Sequence, residues 1–144
     1  MVICCDTSFL HSLYFDDAHS TSARKYLAQS SSVLLLTLFN RFEFHNALRL
    51  SEFRKILPKE KAELLIATFE KDLATEYLTE ATCNLTAVLA EAQRLSVYYV
   101  TKEGHRAFDI IHVAAALHLQ ANIFLTFDQK QKVLAISQGL KTPL

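Results

Sequence analysis

Residues 106–128 read RAFDIIHVAAALHLQANIFLTFD, and this stretch decides the fold. From Ile110 to Leu119 nearly every residue is apolar, with alanine at 114, 115 and 116. A helix that is apolar almost all round belongs in a core. Asp109 stands at its head, and His112 follows one turn later on the same side. NIFLT (122–126) is then a short apolar run of strand length, closed by Asp128. A buried carboxylate is costly unless it is paired or bound to a metal, so Asp109 calls for a partner.

The same grammar recurs upstream. VICC (2–5) reads as a buried strand that stops at Asp6, and TSFLHSLYF carries apolar residues at helical spacing. HSTSARKYLAQ predicts a second helix, with serine or threonine available as its cap. VLLL (33–36) is a second strand, and Thr37 begins a helix through about Arg49. Pro58 suits the first turn of the next helix, KEKAELLIATFEKDLATEY. NLTAVLAEAQRLS is a further helix, one more is expected near Asp128, and the terminal LKTPL is read as a last short strand. Short apolar strands alternating with helices predict a parallel sheet covered on both faces, an α/β fold of three layers. No linker, repeat or low-complexity segment divides residues 1–144, so a single domain is expected.

Composition excludes several functions. The chain holds 15 basic and 15 acidic residues, so no global field attracts nucleic acid. A local basic run exists at Arg41, Arg49, Arg54, Lys55, Lys59 and Lys61, either a solvated helical face or a phosphate-facing patch. Only two glycines occur, which rules out a glycine-rich phosphate loop. The six histidines form no HExxH or paired Cys/His set, so a zinc site lacks support. Cys4, Cys5 and Cys83 have no CxxC spacing; they read as small buried hydrophobes in a reducing cytoplasm. The apolar runs are too short to span a bilayer, and Asp6 interrupts an N-terminus that lacks the basic start of a signal peptide.

In an open parallel sheet, ligands bind beyond the carboxyl ends of the strands. Asp6 and Asp128 follow strands directly, Glu43 lies in the helix after VLLL, and Asp109 starts the buried helix. Singly, each has a structural explanation as a cap, a first-turn acid or an ion-pair partner. Gathered at one edge, they repel: two carboxylates about 4 Å apart cost roughly 4 kcal/mol at an effective dielectric near 20. Such a group is tolerable when some acids protonate or a cation sits among them, and oxygen ligands select a hard ion such as Mg²⁺ or Mn²⁺.

ICCDTSFL, RFEFHNAL, RAFDIIHVAAAL and FLTFDQKQKVLA resemble, in order and spacing, the four acidic motifs of the PIN-domain family. They look most like its VapC-type toxins from prokaryotic toxin–antitoxin pairs. The resemblance covers about 1–16, 33–50 and 90–140 and is silent over roughly 51–85. It implies a PIN-like three-layer fold and a Mg²⁺- or Mn²⁺-dependent ribonuclease whose acidic set is Asp6, Glu43, Asp109 and Asp128. Asp6 and Asp109 are expected to hold the metal. Glu43 and Asp128 are expected one water further out, one of them helping to deprotonate the attacking water. Ser8, Asn46 and Thr126 match the family's supporting positions, and Arg41, Arg49, Arg54 and Lys55 are candidate RNA contacts. Many members carry another acid after the fourth; here Gln129, Lys130 and Gln131 follow, a departure that bears on a second tightly held metal and not on the first. His112 matches the pattern DxxHxA and is read as structural, because a buried helix needs its polar groups bonded.

The resemblance further implies RNA as substrate, a cognate antitoxin protein, a homodimer and no membrane. Two alternatives stand beside the toxin: a PIN nuclease of RNA processing, and a non-catalytic binding module. Loss of an acid would favour the module, and none is missing.

Overall fold

A computed structural model describes residues 1–144. Strands β1 (Ile3–Cys5), β2 (Leu34–Leu36), β3 (Thr79–Glu80) and β4 (Ile123–Leu125) form one parallel sheet in the order β3-β2-β1-β4. The helices are α1 (Thr7–Tyr14), α2 (Ser20–Gln29), α3 (Leu38–Phe53), α4 (Lys61–Ala74), α5 (Leu85–Glu103), α6 (Ala107–His118) and α7 (Gln129–Ser137). The expected α/β architecture is therefore the observed one.

Period-two geometry divides the core into two layers. Cys5 joins Phe9, Leu10, Phe44, Leu48, Ile66 and Phe69 on the face covered by α1 to α4. Cys4 points the other way, into Val88, Leu95, Val113, Phe124 and Leu134 beneath α5 to α7. Both thiols are buried, and burial, with Cys83 nearby, pushes the Cys4 thiol up to about 12. On the second face Ile110, Val113, Ala114, Ala115 and Ala116 of α6 are all buried, which makes this helix part of the core itself.

β1 lies between β2 and β4, and the chain leaves it toward one neighbour and returns beside the other. That reversal makes the carboxyl ends of β1 and β4 the topological switch point of the sheet, the address at which open α/β sheets bind ligands. Asp6 and Thr126 are the first residues past these two strands.

Several boundaries differ from the sequence reading. β3 was not anticipated, because YLTEAT has no apolar run and the strand is a two-residue edge. The expected terminal strand reduces to a single bridge between Ile123 and Lys141. Pro58 lies outside α4: its carbonyl accepts from Lys61 N–H at 3.1 Å, and left-handed Glu60 (φ 66°) redirects the chain. The start of α4 is capped from a distance, since the Glu52 carboxylate accepts from Glu60 N–H (2.9 Å) and Ala62 N–H (3.1 Å). At α2 the cap position is His19, with no side-chain cap bond. α5 runs to Glu103 and stops at Gly104, whose left-handed φ of 70° glycine adopts without a Cβ penalty.

Candidate active site

Asp6 is wholly buried. It caps α1, its Oδ1 accepting from Phe9 N–H at 3.0 Å. Thr126 Oγ1 donates to its Oδ2 at 2.6 Å, Gln131 Nε2 donates to the same oxygen at 2.7 Å, and the Ser8 hydroxyl lies 2.7 Å from Oδ1. Burial nevertheless pushes this carboxyl above its ordinary range; the bonds from Thr126, Ser8 and Phe9 offset only part of the desolvation.

Gln131 extends the network. Its second amide hydrogen reaches Asp109 Oδ1 at 3.3 Å, and its backbone N–H donates to Asp128 Oδ1 at 2.9 Å. Asp109 Oδ2 accepts from Arg106 N–H (3.0 Å), closing the first turn of α6. Asp128 caps α7, and its own N–H donates to Thr126 Oγ1 at 3.0 Å. Three of the four predicted acids, drawn from three separate segments, thus share one hydrogen-bonded cluster. Asp109 and Asp128 are half-buried, more open than the sequence argument for a buried Asp109 assumed.

Glu43 occupies a neighbouring pocket. Its Oε2 accepts from Thr7 Oγ1 at 2.7 Å and bonds to His112 Nε2. The tautomer of His112 follows from Asn40. The Asn40 oxygen accepts from Thr37 N–H (2.9 Å), so its nitrogen donates to Cys5 C=O (2.9 Å) and to His112 Nδ1 (3.3 Å). Nδ1 is then an acceptor, and Nε2 carries the hydrogen donated to Glu43. Burial acts to raise the Glu43 carboxyl, but the bonds from His112 and Thr7 and the Arg106 charge prevail and hold it below its ordinary value. Glu43 therefore keeps its charge to lower pH than an unpartnered glutamate does.

The remaining expected residues fall in different places. Ser8 and Thr126 touch Asp6. Asn46 is exposed on α3, whereas Asn40, buried at the site, was overlooked. Arg41 is committed to both oxygens of Glu70 and lies 3.5 Å from Glu80, and Arg49 pairs with Glu63 at 2.8 Å. Arg54 and Lys55 are exposed beyond the end of α3. Thr7 and Gln131 were also missed, and the signal for Asn40 was the capping-box spacing from Thr37. Beside the acids stands an aromatic pair: Phe42, 63% exposed, faces Phe108 at 6.0 Å, each adjacent in sequence to a site acid.

No three acids converge by themselves as a ligand group; the Gln131 amide ties Asp6 to Asp109. The donor chemistry nonetheless fits a hard divalent cation. Asp6, Asp109 and Asp128 present carboxylate oxygens, Ser8 and Thr126 add hydroxyl oxygens beside Asp6, and Gln131 Oε1 is buried with no hydrogen-bond donor.

No curated protein matches the sequence. Among solved structures, the chain is similar to VapC20 of Mycobacterium tuberculosis, a sarcin-ricin loop cleaving toxin (TM-score 0.71, 17% identity, 91% of this chain and 93% of that one). It is similar also to VapBC-1 of nontypeable Haemophilus influenzae (TM-score 0.67, 17% identity, covering 99% and 96%). FitAcB of Neisseria gonorrhoeae shares the fold too (TM-score 0.62, 13% identity, covering 97% and 95%). At these identities the likeness is one of fold. The sequence model of the PIN domain matches residues 3–136, a span that holds all four acids. By that match, with the parallel sheet and the acids at its carboxyl edge, the chain belongs to the PIN domain family.

Proposed function

We propose that this PIN domain is a Mg²⁺- or Mn²⁺-dependent ribonuclease, the toxin of a toxin–antitoxin pair. The observation that carries the reading is the joining of Asp6 and Asp109 through one amide at the sheet's topological switch point. Asp6 and Asp109 would hold the cation, with Glu43 and Asp128 flanking it. When bound, the ion would polarise a scissile phosphate and ease deprotonation of an attacking water. Ser8 and Thr126 fix the rotamer of Asp6, and the His112–Asn40 relay fixes Glu43. Asp128 Oδ1 is tied to a backbone N–H, which leaves its other oxygen to take up a proton.

RNA is the substrate this rim favours. The exposed Phe42 ring offers a stacking platform for an unpaired base, and such stacking tolerates many sequences. Likeness of fold to VapC20 and VapBC-1 supports the toxin role, hence a cognate antitoxin as partner, a homodimer and action in the cytoplasm. No helix is long and apolar enough to cross a membrane.

The test is cleavage of single-stranded RNA by purified protein in EDTA, Mg²⁺ and Mn²⁺, beside growth of a host expressing it. Divalent-dependent cleavage with growth arrest, relieved by co-expression of the antitoxin gene, is the expected result. Cleavage without arrest would move the chain to RNA processing. No cleavage with any divalent ion, by a folded protein, would overturn the nuclease reading.

A further inference from the structure

Gln131 has one partner too few. It is 5% exposed, and its amide nitrogen is fully used, giving one hydrogen to Asp6 Oδ2 and the other to Asp109 Oδ1. Its amide oxygen is buried and meets no donor. Buried amide oxygens are normally bonded, so an orphan at the centre of an acidic site calls for a reason. The two carboxylates explain this orientation: an amide oxygen turned toward them would be repelled unless a positive charge stood between them. A cation between Asp6 and Asp109 reverses that preference, repelling the N–H groups and attracting the carbonyl. The terminal torsion of glutamine is broad and two-fold, so the exchange needs no movement of α7.

We infer that Gln131 is a neutral oxygen donor to the cation site, its amide nitrogen tying Asp6 to Asp109 in the metal-free protein and its oxygen turning toward the ion on binding. The inference rests on the cation reading proposed above. Carbonyl oxygens of amide side chains are ordinary partners of hard divalent ions, directly or through a water. Gln131 thereby supplies an oxygen from the chain that follows the fourth acid without adding a charge to a site already rich in carboxylates.

A purely structural amide predicts the opposite response of the site. If Gln131 only satisfies the carboxylates, its N–H groups compete with the ion, and removing them tightens binding. If its oxygen serves the ion, removing it loosens binding. The experiment is titration of the full-length, metal-free protein with Mn²⁺, followed by calorimetry and by the electron paramagnetic resonance of the free ion. Wild type, Gln131→Met and Gln131→Glu are compared, with Asp6→Asn as the control for the site.

Gln131→Met is expected to bind Mn²⁺ about 10–100-fold more weakly, the usual cost of losing a supporting partner of a metal site. Gln131→Glu is expected to bind it more tightly than wild type while melting at a lower temperature without metal, because its charge faces Asp6. Equal or tighter binding by Gln131→Met overturns the inference and leaves the nuclease reading standing. Where Gln131→Met does not fold, Gln131→Glu decides, and an affinity below wild type overturns it. A wild type that binds no Mn²⁺ removes the cation reading and the inference together.

Discussion

Asp6 and Glu43 lie on neighbouring elements, each accepts bonds from hydroxyl side chains, and their carboxyls are driven in opposite directions. Asp6 has no exposure and is pushed up; Glu43, with 31% of its side chain exposed, is held down. Donors alone do not explain the contrast, because Asp6 has more of them. Complete removal from water outweighs several neutral donors, whereas partial removal is outweighed by two hydroxyl or imidazole bonds and a nearby arginine. At Asp6 burial disfavours the charged form, whereas at Glu43 the charge already has its partners.

The hardest test of that contrast is catalytic. Asp6→Asn and Asp109→Asn should each lower divalent-dependent RNA cleavage by more than the about 10–100-fold that loss of a supporting partner costs. Glu43→Gln should lose less. Single-turnover cleavage with a circular dichroism control on each variant measures this, and equal losses for all three would erase the distinction between the pockets.

Stability should separate the pockets next. Asn40→Ala strips partners from Thr37 N–H, Cys5 C=O and His112 Nδ1 at a buried point, at a cost of about 1–3 kcal/mol in denaturant unfolding. A loss well below that range would mean that water replaces the amide and that Asn40 does not fix the tautomer of His112.

The pH dependence carries the contrast in its signs. A carboxyl raised in the folded state binds its proton more tightly than the unfolded chain does, so Asp6 opposes folding increasingly as pH rises from about 3.8 through its folded value. A lowered carboxyl does the reverse: Glu43 contributes stability above about 4.5 that is lost as pH falls through its folded value. In metal-free buffer near neutrality, Asp6→Asn should therefore be more stable than wild type and Glu43→Gln less stable. Both differences should shrink on acidification. Melting curves from pH 3 to pH 8 check this, and differences of the same sign would refute the assignment.

The smallest effect belongs to the surface. Arg54→Glu with Lys55→Glu should flatten the salt dependence of RNA binding by about one counterion per lost contact. Arg49→Glu should change it less, since Arg49 is already paired with Glu63. Equal slopes for all variants would return this patch to an ordinary solvated face.

Much of this was legible in the sequence. The strands of the core announced themselves as apolar runs of three or four residues, and the acids as what followed them. β3 was invisible because Thr79 and Glu80 at an edge need no apolar signature. The four acids could be named, but their supports could not. Thr7, Asn40 and Gln131 look like ordinary first-turn polar residues, and only the sheet order β2-β1-β4 brings them to the carboxylates. Charge misled in the other direction. Arg41 belongs to a basic run in sequence, yet in space it belongs to Glu70, on a helix that offered no motif.

Asp6, Asp109 and Asp128 each commit one oxygen to a backbone N–H, those of Phe9, Arg106 and Gln131. Their placement is thus inherited from the main chain of three helices rather than from flexible side-chain packing. Such a site has no separate melting of its own. It holds its shape for as long as the first turns of α1, α6 and α7 are wound, and it disappears when they fray. Warming should extinguish cleavage and far-ultraviolet ellipticity along one common curve, with no temperature range in which an intact fold carries a disordered site.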